Sequence, residues 1–438
     1  MTVPTELAER YAYHFTSIDN IASIIQNGLL CTSEKARQGI VHINVAEEGI
    51  QKRRSEMEVT CNPGGCVHDY VPFYFAKKTP MLLAVINKRN VDQDELVYLA
   101  IPITILTSRE DAVFTDASAN TEVPPNFYNS ENLEQLTTLN WPIIDSRKWT
   151  YPPAETNQKM AELLVKQSVS LADVSHFIVQ SQEIANQLFK IFRDLGVGAP
   201  KVFINSDHYF DWSGRLIGVG PKRLKRELDE AITDVCKAPP ATTPKFVSVR
   251  DALDKLGADF NLIKELSDID GLMANYPPHN CDVGEHTRKV VNGLDGIAEY
   301  QELSDELKDI VKLAAYFHDI GKGPKERWPK HVMSKPDHNH VFSSLKMARR
   351  ILKEEFVKLD DQTVSLVLML IAYDDLLGDI CGNGRDEKQL FDTVKSKTQL
   401  KMLIALSTAD VSSICFFWSA QLDAFISRSK EEWMQRLP

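Results

Sequence analysis

Tyr13 to Leu30 reads YHFTSIDNIASIIQNGLL, and the first half of the chain takes its character from this stretch. Tyr11 to Phe15 reads as a strand. Ser17 then looks like an N-cap, Ile18, Ile21 and Ile25 recur on one helical face, and Gly28 suits the helix end. Downstream, Val71 to Phe75, Met81 to Ile86 and Leu96 to Leu106 are rich in β-branched and aromatic residues and predict strands. Phe177 to Val179 and Lys201 to Ile204 predict closing strands around a helix over Gln182 to Leu195. Between Thr107 and Pro153 the chain is polar, with prolines at 124, 125, 142, 152 and 153, and predicts a long irregular excursion of the functional or disordered kind. Strands mixed with helices indicate an α+β domain.

The second half has another texture. Asp211 to Gly220 is turn-rich, Pro221 to Cys236 predicts a charged helix, and Ala238 to Pro244 is a spacer. From Ser248 onward helix follows helix. The expected organisation is therefore residues 1–211, a linker over 212–245 with a basic helix, and an all-α domain over 246–438. A length of 438 residues suits two cores. A formal net charge of −11 argues against a general electrostatic nucleic-acid binder. Local clusters at Lys52-Arg53-Arg54, Lys77-Lys78 with Lys88-Arg89, and Lys222-Arg223 with Lys225-Arg226 still leave room for a narrow basic channel. Seven scattered cysteines predict reduced thiols and a cytoplasmic protein. Cys61 and Cys66, flanking Asn-Pro-Gly-Gly, read as a turn with two free thiols rather than half a zinc site. No basic patch with an apolar stretch opens the chain, and no apolar run approaches the roughly 20 residues that cross a bilayer, so no membrane partner is expected.

Three separated motifs carry a resemblance: YHFTSIDNIASIIQNGLL, then the arginine pair of QKRRSE (residues 51–56) with DYVPFYFAKKTPML (Asp69 to Leu82), then KMAELLV (Lys159 to Val165). Together, from about Tyr11 to Phe210, they closely resemble DarT, the bacterial toxin family that attaches ADP-ribose from NAD to DNA bases. The resemblance implies an α+β ADP-ribosyltransferase-like fold with NAD as substrate. Glu162 matches the family's catalytic glutamate and Arg53 its catalytic arginine, with Arg54 one residue of alignment away and otherwise beside NAD. His14, Thr16 and Asn20 match the NAD-contacting strand and helix start. Tyr70, Phe73 and Tyr74 match the strand lining the nicotinamide side. The chemistry agrees: a carboxylate beside the reacting ribose stabilises oxocarbenium-like charge and accepts the acceptor's proton, and an arginine fork meets pyrophosphate oxygens in pairs. Without the resemblance, Glu162 reads as a surface residue, His14 as a satisfied strand histidine, Arg53 and Arg54 as a solvated pair, and Tyr70, Phe73 and Phe75 as core.

The family acts on a base in single-stranded DNA, which implies stacking platforms and a short basic groove. Phe127, Tyr128, Trp141, Trp149 and Tyr151 could supply stacking, or could equally pin the excursion to the core, and Arg147 and Lys148 could touch phosphate.

In the second half the spacing speaks first. His286 sits in GEHT, His318-Asp319 in YFHDIGK and Asp410 in STADVS, each on or at the end of an apolar-periodic helix. Two imidazoles and two carboxylates suit a divalent ion such as Mn²⁺, Fe²⁺ or Mg²⁺. The set resembles the HD superfamily, in the flavour of tRNA nucleotidyltransferase HD modules, where His340 matches an extra histidine. Several HD enzymes carry another histidine where this chain reads IAYDDLLGD (Ile371 to Asp379), with Tyr373 and Asp374 standing instead, which favours one ion over two. The expectation is an NAD-dependent ADP-ribosyltransferase acting on single-stranded DNA, in toxin or anti-phage service with an antitoxin unidentified, fused to an HD metal-dependent phosphohydrolase or regulatory module. The alternatives are RNA (tRNA) as acceptor, or a non-catalytic NAD- and metal-dependent nucleic-acid-binding sensor.

Overall fold

Aromatic and β-branched alternation builds an eight-stranded sheet in the first half of the computed structural model, which describes residues 2–42, 48–121, 123–148, 151–210 and 217–438. In chain order its strands are β1 (Tyr11–Ser17), β3 (Tyr70–Tyr74), β4 (Leu96–Pro102), β5 (Ala112–Thr115), β6 (Phe127–Tyr128), β7 (Glu162–Lys166), β9 (His176–Val179) and β10 (Val202–Ile204). They lie in the order β10-β9-β4-β1-β3-β7-β5-β6, and β2 (Leu29–Leu30) pairs separately with β8 (Ser168–Val169). β1 runs antiparallel to β4 over seven register positions, but meets β3 at a single position, Tyr13 opposite Tyr74. The sheet parts there. Beyond the split, β3 and β7 pair over five positions that end with Tyr74 opposite Glu162.

Ser17 caps the turn after β1 by accepting the Asp19 N–H, and Ile21 and Ile24 of the helix Ile21–Asn27 enter the core beside Val71, Phe73, Leu99 and Leu163. Met81 to Ile86 is not a strand: Pro80–Asn87 is a helix, with proline at its start where the missing N–H costs nothing. The excursion after Thr107 is also more ordered than expected. It contains β5, β6 and the helix Trp141–Asp145, and buries Leu133, Leu136, Leu139 and Ile144.

The chain clusters into two units, Met1–Ile86 with Val91–Asp211, and Asn87–Asn90 with Trp212–Pro438. The second unit is mostly helical. The charged helix Pro221–Lys237, expected within a linker, belongs to it, because Leu224, Leu228, Ala231 and Val235 form a buried stripe in its core. Three helices bring the unit's His and Asp side chains together: Val283–Gly293, Asp305–Phe317 and Lys397–Ile414, each N-capped by the side chain before it, Asp282, Ser304 and Ser396. No helix among the described residues is long and apolar enough to cross a membrane.

Candidate active site and metal centre

Glu162 opens β7 with its side chain fully buried, which is costly for a carboxylate unless it is paired. Arg54 pairs with it through two parallel bonds, Nη1 to Oε1 at 2.9 Å and Nη2 to Oε2 at 3.0 Å. The Ala119 N–H donates to Oε1 at 3.1 Å, and the Glu162 N–H donates to Thr115 Oγ1 at 3.0 Å. Burial opposes the Arg54 charge, yet the Glu162 carboxylate, by charge and hydrogen bond, holds its pKa above the ordinary value. Beside the pair lies Tyr74, whose hydroxyl burial, and then the Glu162 charge, push above the usual phenol range. Tyr74 stacks on Phe15 at 6.2 Å.

The arginine facing Glu162 is Arg54, not Arg53. Adjacent residues on the helix Glu48–Glu56 point about 100° apart, so only one reaches inward. Arg53 is exposed and donates to Asn120 Oδ1 at 3.1 Å. Arg54→Ala should therefore lower transfer at least ten times more than Arg53→Ala, since it leaves a buried carboxylate unpaired. Single-turnover rates with labelled NAD measure this, and equal losses would dissolve the assignment.

His14 sits at the split. Its Nδ1 lies 2.9 Å from the Pro72 carbonyl, and burial holds the imidazole down to about 4 against that bond. With Thr16, Asn20, Gly28, Lys35 and His42 it lines one small cleft, and Asn20 Nδ2 donates to Thr16 Oγ1 at 3.0 Å. His14, Thr16 and Asn20 thus come together in the cleft, and Arg54 and Glu162 come together as an ion pair at the start of β7. Tyr70 and Phe73 are both buried, and Phe73 lies 5.7 Å from the His14 ring. Tyr70 donates to the Gly64 carbonyl at 2.7 Å and Phe73 packs with Val71 and Leu163, so only Tyr74 of that trio stays accessible. Sequence reasoning passed over Lys35, a cation whose place in the cleft depends on tertiary packing.

The aromatics of the excursion are mostly pins. Phe127 is buried, Tyr128 stacks on Phe114 at 5.1 Å, and Trp141 packs edge-on to Phe75 while its Nε1–H donates to the Leu136 carbonyl. Tyr151 Oη donates to the Lys148 carbonyl at 2.8 Å, and Trp149 lies outside the described residues. Arg147 pairs with Asp207 at the surface, and Lys148 is exposed.

Elsewhere in this unit, burial holds His208 down to about 3, with neither ring nitrogen hydrogen-bonded. Unfolded, a histidine takes its proton near pH 6.5. The stability due to neutral His208 is thus complete above that pH and drains away as pH falls toward the folded value. Thermal midpoints measured from pH 7 to 4 should fall less steeply in His208→Phe than in wild type; identical slopes would contradict the burial.

In the second unit the helical period places the candidate metal ligands. Val283, His286, Thr287, Val290 and Val291 form one buried face. His318 follows Phe317 at the end of its helix, and Gly321 lets the next turn dock, because a Cβ there would collide with the His340 carbonyl and the Ser344 N–H. Asp410 lies in the penultimate turn of Lys397–Ile414. His318 Nδ1 lies 2.7 Å from the Ala315 carbonyl, and His286 Nδ1 lies 2.7 Å from Ser413 Oγ, which itself donates to the Asp410 carbonyl. Both imidazoles therefore turn Nε2 inward, the arrangement that orients metal-ligating histidines.

His286 Nε2 is 2.9 Å from Asp410 Oδ1 and 3.3 Å from Asp319 Oδ2; His318 Nε2 is 3.5 Å from each carboxylate. Ligand atoms held at about 2.1 Å around one ion stand about 3.0 to 3.4 Å apart, so this donor set fits a divalent cation. Burial favours neutral imidazole, yet the Asp319 charge and then Asp410 push His318 up to about 10, which shows how strongly the cluster draws positive charge. His340 stands to one side, its Nε2 3.7 Å from Asp319 Oδ1. A cavity of about 430 Å³ opens here, lined by Arg89, Tyr276, His279, Lys322, Asn383 and Trp418 among others. Lys322, within the quoted motif but given no role, pairs with Asp319 at 2.6 Å.

Comparison with known proteins agrees with this division. Residues 13–210 match the family described as ssDNA thymidine ADP-ribosyltransferase, DarT, and residues 283–377 match the HD domain. A DNA ADP-ribosyl transferase of Thermus sp. (strain 2.9) is 32% identical over 207 residues, covering 45% of this chain and 95% of that one. Another, of Escherichia coli O127:H6, is 30% identical over 178 residues, 39% of this chain and 80% of its own. A Thermosipho africanus protein named a DNA ADP-ribosyl transferase–DNA ADP-ribosyl glycohydrolase fusion is 26% identical, covering 43% of this chain and 47% of that one. The solved structure of Thermus sp. 2.9 DarT with ADP-ribosylated ssDNA is 30% identical, covering 48% of this chain and 99% of that one, with a TM-score of 0.43. The chain therefore belongs to the DarT family through its N-terminal half, and its C-terminal half carries an HD domain.

Proposed function

We propose that residues 1–211 transfer ADP-ribose from NAD to a base in single-stranded DNA, in toxin or anti-phage service. The observation that carries this reading is the buried, bidentate Arg54–Glu162 pair at the start of β7, where Glu162 stands opposite Tyr74. In the reaction the bond between nicotinamide and the ribose C1′ breaks, and its electron pair leaves with nicotinamide. A nitrogen of the base forms the new bond to C1′ and gives its proton to the Glu162 carboxylate. Glu162 opposes the positive charge that develops on the ribose, and Arg54 fixes the direction of that carboxylate. His14, Thr16 and Asn20 hold NAD, and Lys35, within the same cleft, faces its pyrophosphate. ³²P-labelled NAD offered with single-stranded DNA, duplex DNA and RNA tests the reading: label should pass to single-stranded DNA alone. Label on RNA alone would overturn the choice of acceptor.

For the HD domain the proposal is metal-dependent phosphoester hydrolysis. His286, His318, Asp319 and Asp410 would hold a divalent ion, which when bound polarises a phosphoester and acidifies water. Lys322 holds Asp319 in place as a ligand.

A further inference from the structure

In sequence Arg89 lies between the helix Pro80–Asn87 and β4, yet Asn87–Asn90 belongs to the unit that carries the HD domain. Its side chain is buried, and its backbone holds φ at 56°, in the left-handed region that an arginine rarely occupies. The surroundings impose that conformation. Gln389 Nε2 donates to the Arg89 carbonyl at 2.9 Å, while Gln389 Oε1 accepts from Arg385 Nε at 2.9 Å, so the amide is fixed at both ends. Beside it, Asn90 Nδ2 donates to the Gly384 carbonyl at 2.9 Å, and Asn90 Oδ1 accepts the Asp386 N–H at 2.7 Å. Gly218 leaves the room this requires, because a Cβ there would stand 3.0 Å from Arg89 Cγ and Nε. A sparsely populated backbone conformation over-determined in this way is characteristic of functional sites.

The side chain ends in the HD cavity. Nη1 lies 3.1 Å from Asp375 Oδ2 and 3.3 Å from Asp379 Oδ2, and Nη2 donates to the His338 carbonyl at 3.2 Å. One guanidinium thus ties Asp375 and the helix Leu376–Gly382 to the turn that leads into His340. Asp319, Asp337, Asp374, Asp375, Asp379 and Asp410 line the cavity, and among the described residues its fixed cations are Lys322 and Arg89. Lys322 is committed to Asp319, Asp337 pairs with Arg327, and Arg385 shares Asp379 at 3.4 Å. Burial opposes the Arg89 charge, but Asp379 and then Asp375 hold its pKa above the ordinary value. Without that charge Asp375 would keep His340, at 3.5 Å, and both carboxylates would meet an incoming phosphate as like charges.

We propose that Arg89 is a positioning residue of the HD centre: by joining two walls of the cavity and balancing Asp375 and Asp379, it makes the cavity receptive to the phosphate group of a phosphoester. The centre is thereby completed by four residues from the transferase half of the sequence, outside the residues 283–377 that match the HD domain. This rests on the reading of the HD domain as a metal-dependent phosphoesterase.

The test uses the full chain with Mn²⁺ kept below one ion per chain and inorganic phosphate as the probe, read by the ³¹P relaxation that bound Mn²⁺ causes. Only phosphate beside the ion is seen, so the NAD cleft does not contribute. Arg89→Gly removes the side chain and accepts a positive φ without strain. Its phosphate affinity should fall at least about tenfold, and added methylguanidinium should restore part of the loss. Arg89→Lys, which keeps the charge, should lose less than Arg89→Gly. Equal phosphate affinity in wild type and both variants overturns the role of Arg89 and leaves the metal reading standing. A loss that Arg89→Lys shares in full and methylguanidinium does not relieve overturns it too, since the residue would then serve the fold rather than the cavity's charge. Wild type that binds Mn²⁺ but brings no phosphate beside it overturns the phosphoesterase reading itself, and wild type that binds no Mn²⁺ overturns the metal reading.

Discussion

Glu162→Gln should abolish ADP-ribosyl transfer, lowering the rate by about 10³-fold or more, while NAD affinity changes by no more than about threefold. The first figure combines loss of a general base with loss of a charge aimed at the transition state. Affinity is spared because a group acting on the transition state contributes little to ground-state binding. Glutamine is the informative replacement. It keeps an oxygen for the Ala119 N–H and nearly the same volume in a site with no exposure. Alanine would leave the Arg54 guanidinium buried without its partner, an error of about 3–5 kcal/mol that confuses folding with catalysis. Transfer rates and NAD titration calorimetry on one preparation decide the matter. If affinity falls in proportion to rate, Glu162 binds substrate rather than acting on the reaction.

His318→Ala combined with Asp319→Ala should empty the HD metal centre and reduce phosphoester hydrolysis to background, with ADP-ribosyl transfer unchanged. The double change removes two donors and cancels the charge partner of Lys322. Metal binding requires neutral imidazole, and His318 is pushed up to about 10 by its carboxylate neighbours against the effect of burial. Binding in wild type should therefore release protons and tighten as pH rises. Nucleotides, nucleic acid ends and ADP-ribosylated oligonucleotides, each offered with Mn²⁺, Mg²⁺ or Fe²⁺, form the substrate panel. If wild type hydrolyses none of them, the catalytic reading of the domain fails. If the double variant becomes toxic to cells that tolerate wild type, the domain restrains the transferase.

Some of this was legible in sequence because it is local. His286 lies on an apolar stripe of helical period, and His318-Asp319 is followed by the glycine that lets its turn dock, so spacing alone pointed to most of the first His/Asp cluster. Other readings failed for identifiable reasons. Met81 to Ile86 is apolar throughout, and such a run does not distinguish a buried strand from a buried helix; Pro80 was the signal that decided it. Arg53 and Arg54 differ only in which side of a helix they occupy, and the buried partner that chooses between them lies 108 residues away. Tyr70 and Phe73, three residues apart on β3, point to opposite faces of the strand, and both faces are largely covered. Asp374 and Asp375 read as a departure from a histidine pattern, because their placement beside His340 exists only after the helices pack.

Mass spectrometry of a defined single-stranded oligodeoxynucleotide, incubated with NAD and the full chain, tests the central claim most directly. One ADP-ribosyl adduct located on a base is expected, with nicotinamide released in equal amount, and neither product with Glu162→Gln. Unmodified DNA with NAD hydrolysed to free ADP-ribose, or an adduct formed equally well by Glu162→Gln, would contradict it.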